Sequence, residues 1–173
     1  MDHADHVRLL RDGVTSGGTW ADLGAGTGAF TLALAELVGT TGEVIAVDRD
    51  RGALRELERT VRRGGATVRT MNADFTKPIE LPPLDGIVMA NSLHFVKDKV
   101  PVLALVRTML KPSGRLLLVE YDADHGNTWV PHPMSFDTWR VLADANGFRG
   151  TRKLASVPSR FLGRIFSAES VRE

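Results

Sequence analysis

The 173-residue chain predicts an α/β fold: doubly wound, with a mostly parallel seven-stranded sheet that ends in a C-terminal antiparallel hairpin. Three observations carry that prediction. Five apolar runs of strand character alternate with amphipathic helix-period segments, the order that lays parallel strands between crossover helices. The stretch Thr19-Trp20-Ala21-Asp22-Leu23-Gly24-Ala25-Gly26-Thr27-Gly28-Ala29-Phe30 reads as a buried strand, a glycine turn and a helix start. Two further strand-like runs close the chain with a short turn between them.

In chain order, residues 4–12 predict a short helix with Val7, Leu9 and Leu10 apolar, broken by Gly13, Gly17 and Gly18. It is expected either to close over a ligand or to cap the core. Residues 19–23 form the first strand. The helix 29–38 carries Phe30, Leu34, Leu37 and Val38 on one face. The strand 43–47 is apolar almost throughout, as burial on both faces requires. Asp50 suits the N-cap of a helix over 51–63, striped by Leu54, Leu57 and Val61. Its other face carries Arg51, Arg55, Arg59, Arg62 and Arg63, expected to be solvated and paired with Glu56 and Glu58, with Gly64-Gly65 as its stop. The third strand, 67–71, leads into Asn72-Ala73-Asp74-Phe75. Residues 76–85 hold Pro78, Pro82 and Pro83 and are too proline-rich for a crossover helix. A strand over 86–90, a helix over 98–110 with Pro101 in its first turn, and a turn at Lys111-Pro112-Ser113-Gly114 follow. The strand 115–120 is the strongest in the chain. A polar loop, 121–134, precedes a helix over 135–146 closed by Gly147. The strands 150–157 and 161–167 are expected to turn at Pro158-Ser159.

Composition narrows the functional classes. Length fits a single domain spanning the whole chain, with room for a substantial core. A hydrophobic fraction of 43% with 25% charged residues is ordinary for a globular protein. A net charge of +1 supplies no global field toward nucleic acid or an anionic membrane. Without cysteine there is no disulfide, thiolate metal site or cysteine nucleophile. The polar, acidic start and the short apolar runs predict neither a signal peptide nor a membrane span, and a cytoplasmic location is the expectation.

The glycine stretch is where chemistry gathers. Gly24, Gly26 and Gly28 recur every second residue, where the backbone must bend sharply or a ligand must come close. The helix after them would aim free N–H groups and a positive end at a polar ligand. Twenty residues beyond Gly28 stands Asp48, at the tip of the second strand, where a ribose would present its hydroxyls. The dinucleotide fingerprint G-x-G-x-x-G is absent; the pattern is G-x-G-x-G with an acid, Asp22, before it. This resembles motif I of the class I S-adenosylmethionine (SAM) methyltransferases, whose sheet also ends with one strand against the others. The turns Lys111-Pro112-Ser113-Gly114-Arg115 and Ala145-Asn146-Gly147-Phe148 are similar to recurring turns of that family, so the resemblance covers nearly the whole chain. The proline-rich 76–85 departs from it, since the family places a helix there, and the segment before the first strand is a stub of the family's lid.

The resemblance implies SAM as cofactor and a small-molecule acceptor. It implies that Gly24, Ala25, Gly26 and Gly28 approach the methionine and ribose parts, that Asp22 braces the loop near the methionine ammonium, and that Asp48 takes the ribose hydroxyls. Arg49 would pack on the adenine face, Asp74 would accept from the adenine amino group, and Phe75 would offer its backbone N–H to the ring, its side chain belonging to the core. Asn91 would meet the methionine ammonium. No metal is expected; His125 and His132 with Asp122 and Asp124 lack the spacing of a site. A base, where the acceptor needs one, would come from His94, Tyr121, Asp122 or His125. The Asn-Pro-Pro-Tyr type motif of base-amine methyltransferases is replaced by Ala90-Asn91-Ser92-Leu93, which counts against an exocyclic amine acceptor. Loop 121–134, with Trp129, would shape the acceptor pocket. Two other readings share parts of the pattern: a nicotinamide-dependent oxidoreductase, and a SAM-binding partner subunit without catalysis.

Overall fold

The structure is a computed structural model that describes residues 1–61 and 64–173. One sheet runs in the order β3-β2-β1-β4-β5-β7-β6, formed by β1 Gly18–Leu23, β2 Gly42–Asp48, β3 Thr67–Asn72, β4 Leu84–Ala90, β5 Leu110–Tyr121, β6 Phe148–Ser159 and β7 Gly163–Arg172. β1 to β5 pair in parallel, and only β7 runs against its neighbours β5 and β6. The chain leaves β1 in one direction toward β3 and returns on the other side at β4. The ends of β1, β2 and β4 therefore meet where the winding reverses, the place at which open α/β sheets bind ligands.

The alternation of side chains across the strands assigns the two faces. Trp20, Val44, Val88, Ala90, Leu117 and Val119 pack with α1 His3–Leu10 and α2 Ala29–Val38. α3 Arg51–Thr60 covers Ala46 on that same face through Leu54 and Leu57. Ala21, Leu23, Ile45, Val47, Ile87, Met89, Leu116 and Leu118 pack with α4 Val100–Met109 and α5 Phe136–Ala145. Where a helix between β3 and β4 would lie, a turn at residues 75–77 leads into an irregular segment, 78–83, and Ile79 and Leu81 pack on the core in its place. The prolines decide this, because each removes a helical donor. α1 is a cap on the core: Val7, Leu9 and Leu10 are buried and the helix packs on α2, β6 and β7, so it is committed to packing rather than poised as a lid.

Several boundaries differ from the sequence expectation. α3 ends at Thr60 because Val61 leaves the helix in extended conformation, not through the glycine pair; Arg62 and Arg63 lie outside the described residues. Among the described residues no arginine of α3 pairs with Glu56 or Glu58. Glu58 accepts from Thr70, and Arg51 donates to Asn72. The Lys111–Gly114 turn is a bulge inside β5, which pairs with β4 on both sides of it. Pro158 and Ser159 belong to β6, paired with Arg164 and Gly163, and the reversal falls at residues 160–162. β6 is an edge strand, so Pro158 can withhold a donor from the ladder, and Gly163, at φ +77°, supplies the left-handed residue the reversal needs.

Trp20 and Gly86 face each other across β1 and β4, and the indole fills the space beside the glycine. A Cβ at Gly86 would lie 2.1 Å from Trp20 Cζ3. Gly86→Ala is therefore expected to cost about 1–3 kcal/mol of stability through overpacking, read as a lower denaturant midpoint with unchanged slope.

Candidate active site

The bend after β1 is tied down from three sides. Gly24 and Ala25 donate their N–H groups to Val47 O at the end of β2, at 2.8 and 3.1 Å. Ser92 Oγ, just past β4, donates to Leu23 O at 2.7 Å. Gly26 N–H donates to Asp48 Oδ2 at 2.8 Å. The three glycines serve different ends. A Cβ at Gly24 would meet Ser92 Cβ at 2.4 Å, and one at Gly28 would meet Leu57 Cδ1 at 2.2 Å. One at Gly26 would meet nothing, but its φ of +54° is a conformation that L side chains rarely adopt.

Beside the bend a crevice of about 480 Å³ opens, within the usual size of small-molecule clefts. Gly24, Gly26, Asp48, Arg49, Asp74, Phe75 and Asn91, all anticipated from the sequence, line it. Asp50, Ala73, Thr76, Ser92, Phe95 and Val96 line it as well and were not anticipated. Their position beside motif residues was the available signal. Ala25, Gly28 and Asp22 lie outside the lining.

Asp48 uses one hydrogen bond per oxygen inside the chain, from Gly26 N–H and from Asp50 N–H, each at 2.8 Å. A carboxylate oxygen accepts two bonds, so both keep acceptor capacity toward the crevice. Capping of α3 falls to Asp50, which accepts from Gly52 N and Ala53 N and leaves Asp48 free of that task. Asp74 accepts from the Thr76 hydroxyl and backbone N–H, which hold its carboxyl below the usual carboxylate range. Phe75 is half-buried: its ring packs on the core and also lines the crevice, more than the core role expected for it. Arg49 is exposed at the rim, the one cation among the lining residues.

At the carboxyl ends of β1 and β4 lie two buried, unpaired carbonyl-type oxygens. Asp22 Oδ2 takes the Thr31 hydroxyl at 2.6 Å, while Oδ1 has no partner. Burial pushes this carboxyl up to about 6, opposed by the Thr31 bond and reinforced by Asp48. Asn91, held at φ +51°, likewise leaves Oδ1 buried without a partner. Of the base candidates, His94 and Tyr121 are neighbours, their ring centroids 5.8 Å apart. His94 is buried next to Phe95, Tyr121 is buried in the core, and His125 is exposed on the β5–α5 loop; none lines the crevice. Asp122 is engaged by Phe136 N–H and Lys153. Among the described residues no group of three or more His, Asp or Glu side chains is placed to hold a metal ion.

A sheet of this order with a single reversed strand, a glycine bend between β1 and α2, and an acid at the tip of β2 define a class I methyltransferase domain. Comparison with known proteins agrees. The family model described as "Methyltransferase domain" matches residues 21–114, and the chain belongs to that family. A ubiquinone/menaquinone biosynthesis C-methyltransferase, UbiE, of Azotobacter vinelandii is 38% identical over 112 residues, covering 63% of this chain and 44% of that protein. The UbiE of Burkholderia mallei is 30% identical over 132 residues, covering 76% and 53%. The chain thus spans about half the length of the curated relatives it matches. Among solved structures, a SAM-dependent methyltransferase from Aquifex aeolicus has a TM-score of 0.75 at 21% identity, covering 98% of this chain and 90% of the other. A Burkholderia thailandensis 1,6-didemethyltoxoflavin-N1-methyltransferase has a TM-score of 0.75 at 18% identity, covering 99% and 78%.

The raised carboxyl of Asp22 ties stability to pH. The native chain keeps this proton between pH 3.8 and about 6, where the unfolded chain has lost it. The contribution of the group is complete below that window and gone above it, a difference of about 3 kcal/mol. Asp22→Asn should flatten this fall, measured by denaturant unfolding of the chain and its variant across the window.

Proposed function

We propose that this chain transfers a methyl group from SAM to a small or medium-sized acceptor. The observation that carries the reading is the supply of acceptors around the bend: Asp48 with spare capacity on both oxygens, and the unpaired Oδ1 atoms of Asp22 and Asn91. SAM presents the matching donors, two ribose hydroxyls, a methionine ammonium and an adenine amino group. The residues fit it. Asp48 would hold the ribose, Asn91 and Asp22 the ammonium end, Asp74 the adenine amino group, and Phe75 and Arg49 the adenine faces; Gly24, Ala25, Gly26 and Gly28 keep the bend close. When bound, SAM supplies a methyl carbon already activated by sulfonium, so the chain's own task is to position the acceptor and exclude water.

The same inventory counts against a nicotinamide dinucleotide. A pyrophosphate at the bend would face Asp48, Asp50 and Asp74 with Arg49 as the one lining cation, and the Gly26 N–H it would need is already given to Asp48. Calorimetric titration of SAM against NADH separates the two readings. The reading as a binding subunit without catalysis is separated by release of S-adenosylhomocysteine from labelled SAM in the presence of acceptors. The acceptor panel begins with hydroquinones, because the curated relatives are named for ubiquinone and menaquinone biosynthesis, and extends to ring-nitrogen and hydroxyl acceptors. No helix among the described residues is long and apolar enough to cross a membrane. The cysteine-free composition supports a reducing compartment, and the cytoplasm is the proposed location.

Asp48→Ala is expected to weaken SAM binding by about 1–3 kcal/mol through lost charge-assisted bonds; unchanged affinity in a folded variant would take Asp48 out of the site. An ammonium beside Asp22 favours the ionised carboxyl, so SAM affinity should rise as pH passes upward through about 6 and lose that dependence in Asp22→Asn.

A further inference from the structure

Behind Phe95 and Val96, which line the crevice, lies a buried acid and imidazole pair. Glu120, next to last in β5, is fully buried. Its carboxylate engages His94 Nδ1 at 2.9 Å through Oε1 and 3.1 Å through Oε2, and accepts Tyr121 N–H at 2.8 Å. His94 is 3% exposed. An ionised carboxylate only accepts, so it draws the imidazole proton onto Nδ1 and leaves the Nε2 lone pair free. An apolar pair of the same volume would stabilise this site at least as well. Its position at the ligand-binding edge of the sheet therefore points to chemistry.

The groups around the pair narrow the roles. Burial and Glu120 together raise the Tyr121 hydroxyl, which keeps its proton at neutral pH. Its ring lies 5.8 Å from the imidazole. Lys99, lowered by burial against the opposing pull of Glu120, places its ammonium at 2.9 Å from both Val96 O and His132 O. His132 N–H in turn donates to His94 O at 3.0 Å. These bonds pin the 3₁₀ turn Leu93–Phe95 to the β5–α5 loop and hold the imidazole from its backbone side. The Phe95 ring lies tilted against His94, with centroids 4.3 Å apart and planes at 53°; Phe95 lines the crevice and is 62% exposed.

Resting on the methyl-transfer reading above, we propose that His94, oriented by Glu120, takes the proton from the acceptor, with Phe95 as the ring an acceptor displaces to reach it. The acceptor's bond to hydrogen breaks and the proton forms a bond with Nε2. The electron pair left on the acceptor atom becomes its bond to the transferred methyl, and the carbon–sulfur pair stays on sulfur. Glu120 offsets the imidazolium charge until the proton leaves to water.

Nitrogen-15 NMR of the ligand-free chain tests the first requirement: neutral His94 should carry its proton on Nδ1, and a proton on Nε2 would overturn the proposal. Glu120→Gln preserves volume and an acceptor for Tyr121 N–H, so it guards against a His94→Asn chain that does not fold. With a hydroquinone or another panel acceptor, each variant should lose on the order of 100-fold in kcat while SAM affinity by calorimetry stays unchanged. The two failures are distinguishable: the methyl-transfer reading fails if the native chain binds no SAM, and this inference fails if the native chain methylates an acceptor at a rate indifferent to both substitutions.

Discussion

The hydrogen bond from Gly26 N–H to Asp48 Oδ2 joins the two features on which everything else here depends. It fixes the bend after β1 to the tip of β2. Without it the bend is held only by the Val47 carbonyl below and by Ser92 from the side. With it, the bend is stiff enough to need glycines: Gly24 is crowded by Ser92, Gly28 by Leu57, and Gly26 is held at positive φ. The same bond orients the Asp48 carboxylate, and the Asp50 N–H completes that orientation. A ligand meeting this carboxylate finds it already aimed, and little ordering remains to be done on binding.

The electrostatics of the crevice follow from that geometry. Three carboxylates line a space that holds one arginine, and two unpaired acceptors sit buried behind or beside it. Unpaired buried oxygens cost free energy in the free chain. Asp22 shows the cost, since burial raises it far enough to hold its proton toward neutral pH. A cationic, hydroxyl-bearing ligand relieves that cost; an anionic one adds to it. The site is thus selective by the penalty it imposes as well as by the bonds it offers.

Two absences shape the mouth of the crevice. The span from β3 to β4 is bridged by an irregular, proline-bearing segment, and α1 is spent on covering the core. Neither closes the crevice. The 3₁₀ turn Leu93–Phe95 borders the crevice and is clipped to the β5–α5 loop by Lys99 and the His132–His94 backbone bond. Phe95 of that turn stands in the crevice lining, and Trp129 is exposed on the loop.

Much of this molecule was legible in its residues because the relevant signals are local. Strand and helix periods announce the alternation, prolines forbid a helix at 76–85, and Asp50 caps α3 because a side chain reaches its own backbone. The glycine spacing and Asp48 marked the crevice for the same reason: a backbone that must bend leaves its trace in one segment. What the chain order could not express is proximity between distant segments. Only the packed sheet brings Glu120 to His94, sets Ser92 against Gly24, puts Phe75 in the crevice wall as well as the core, and turns the Lys111–Gly114 turn into a bulge of β5. Those contacts depend on the order and register of strands far apart in sequence, which the sum of many long-range packing choices decides and no single stretch encodes.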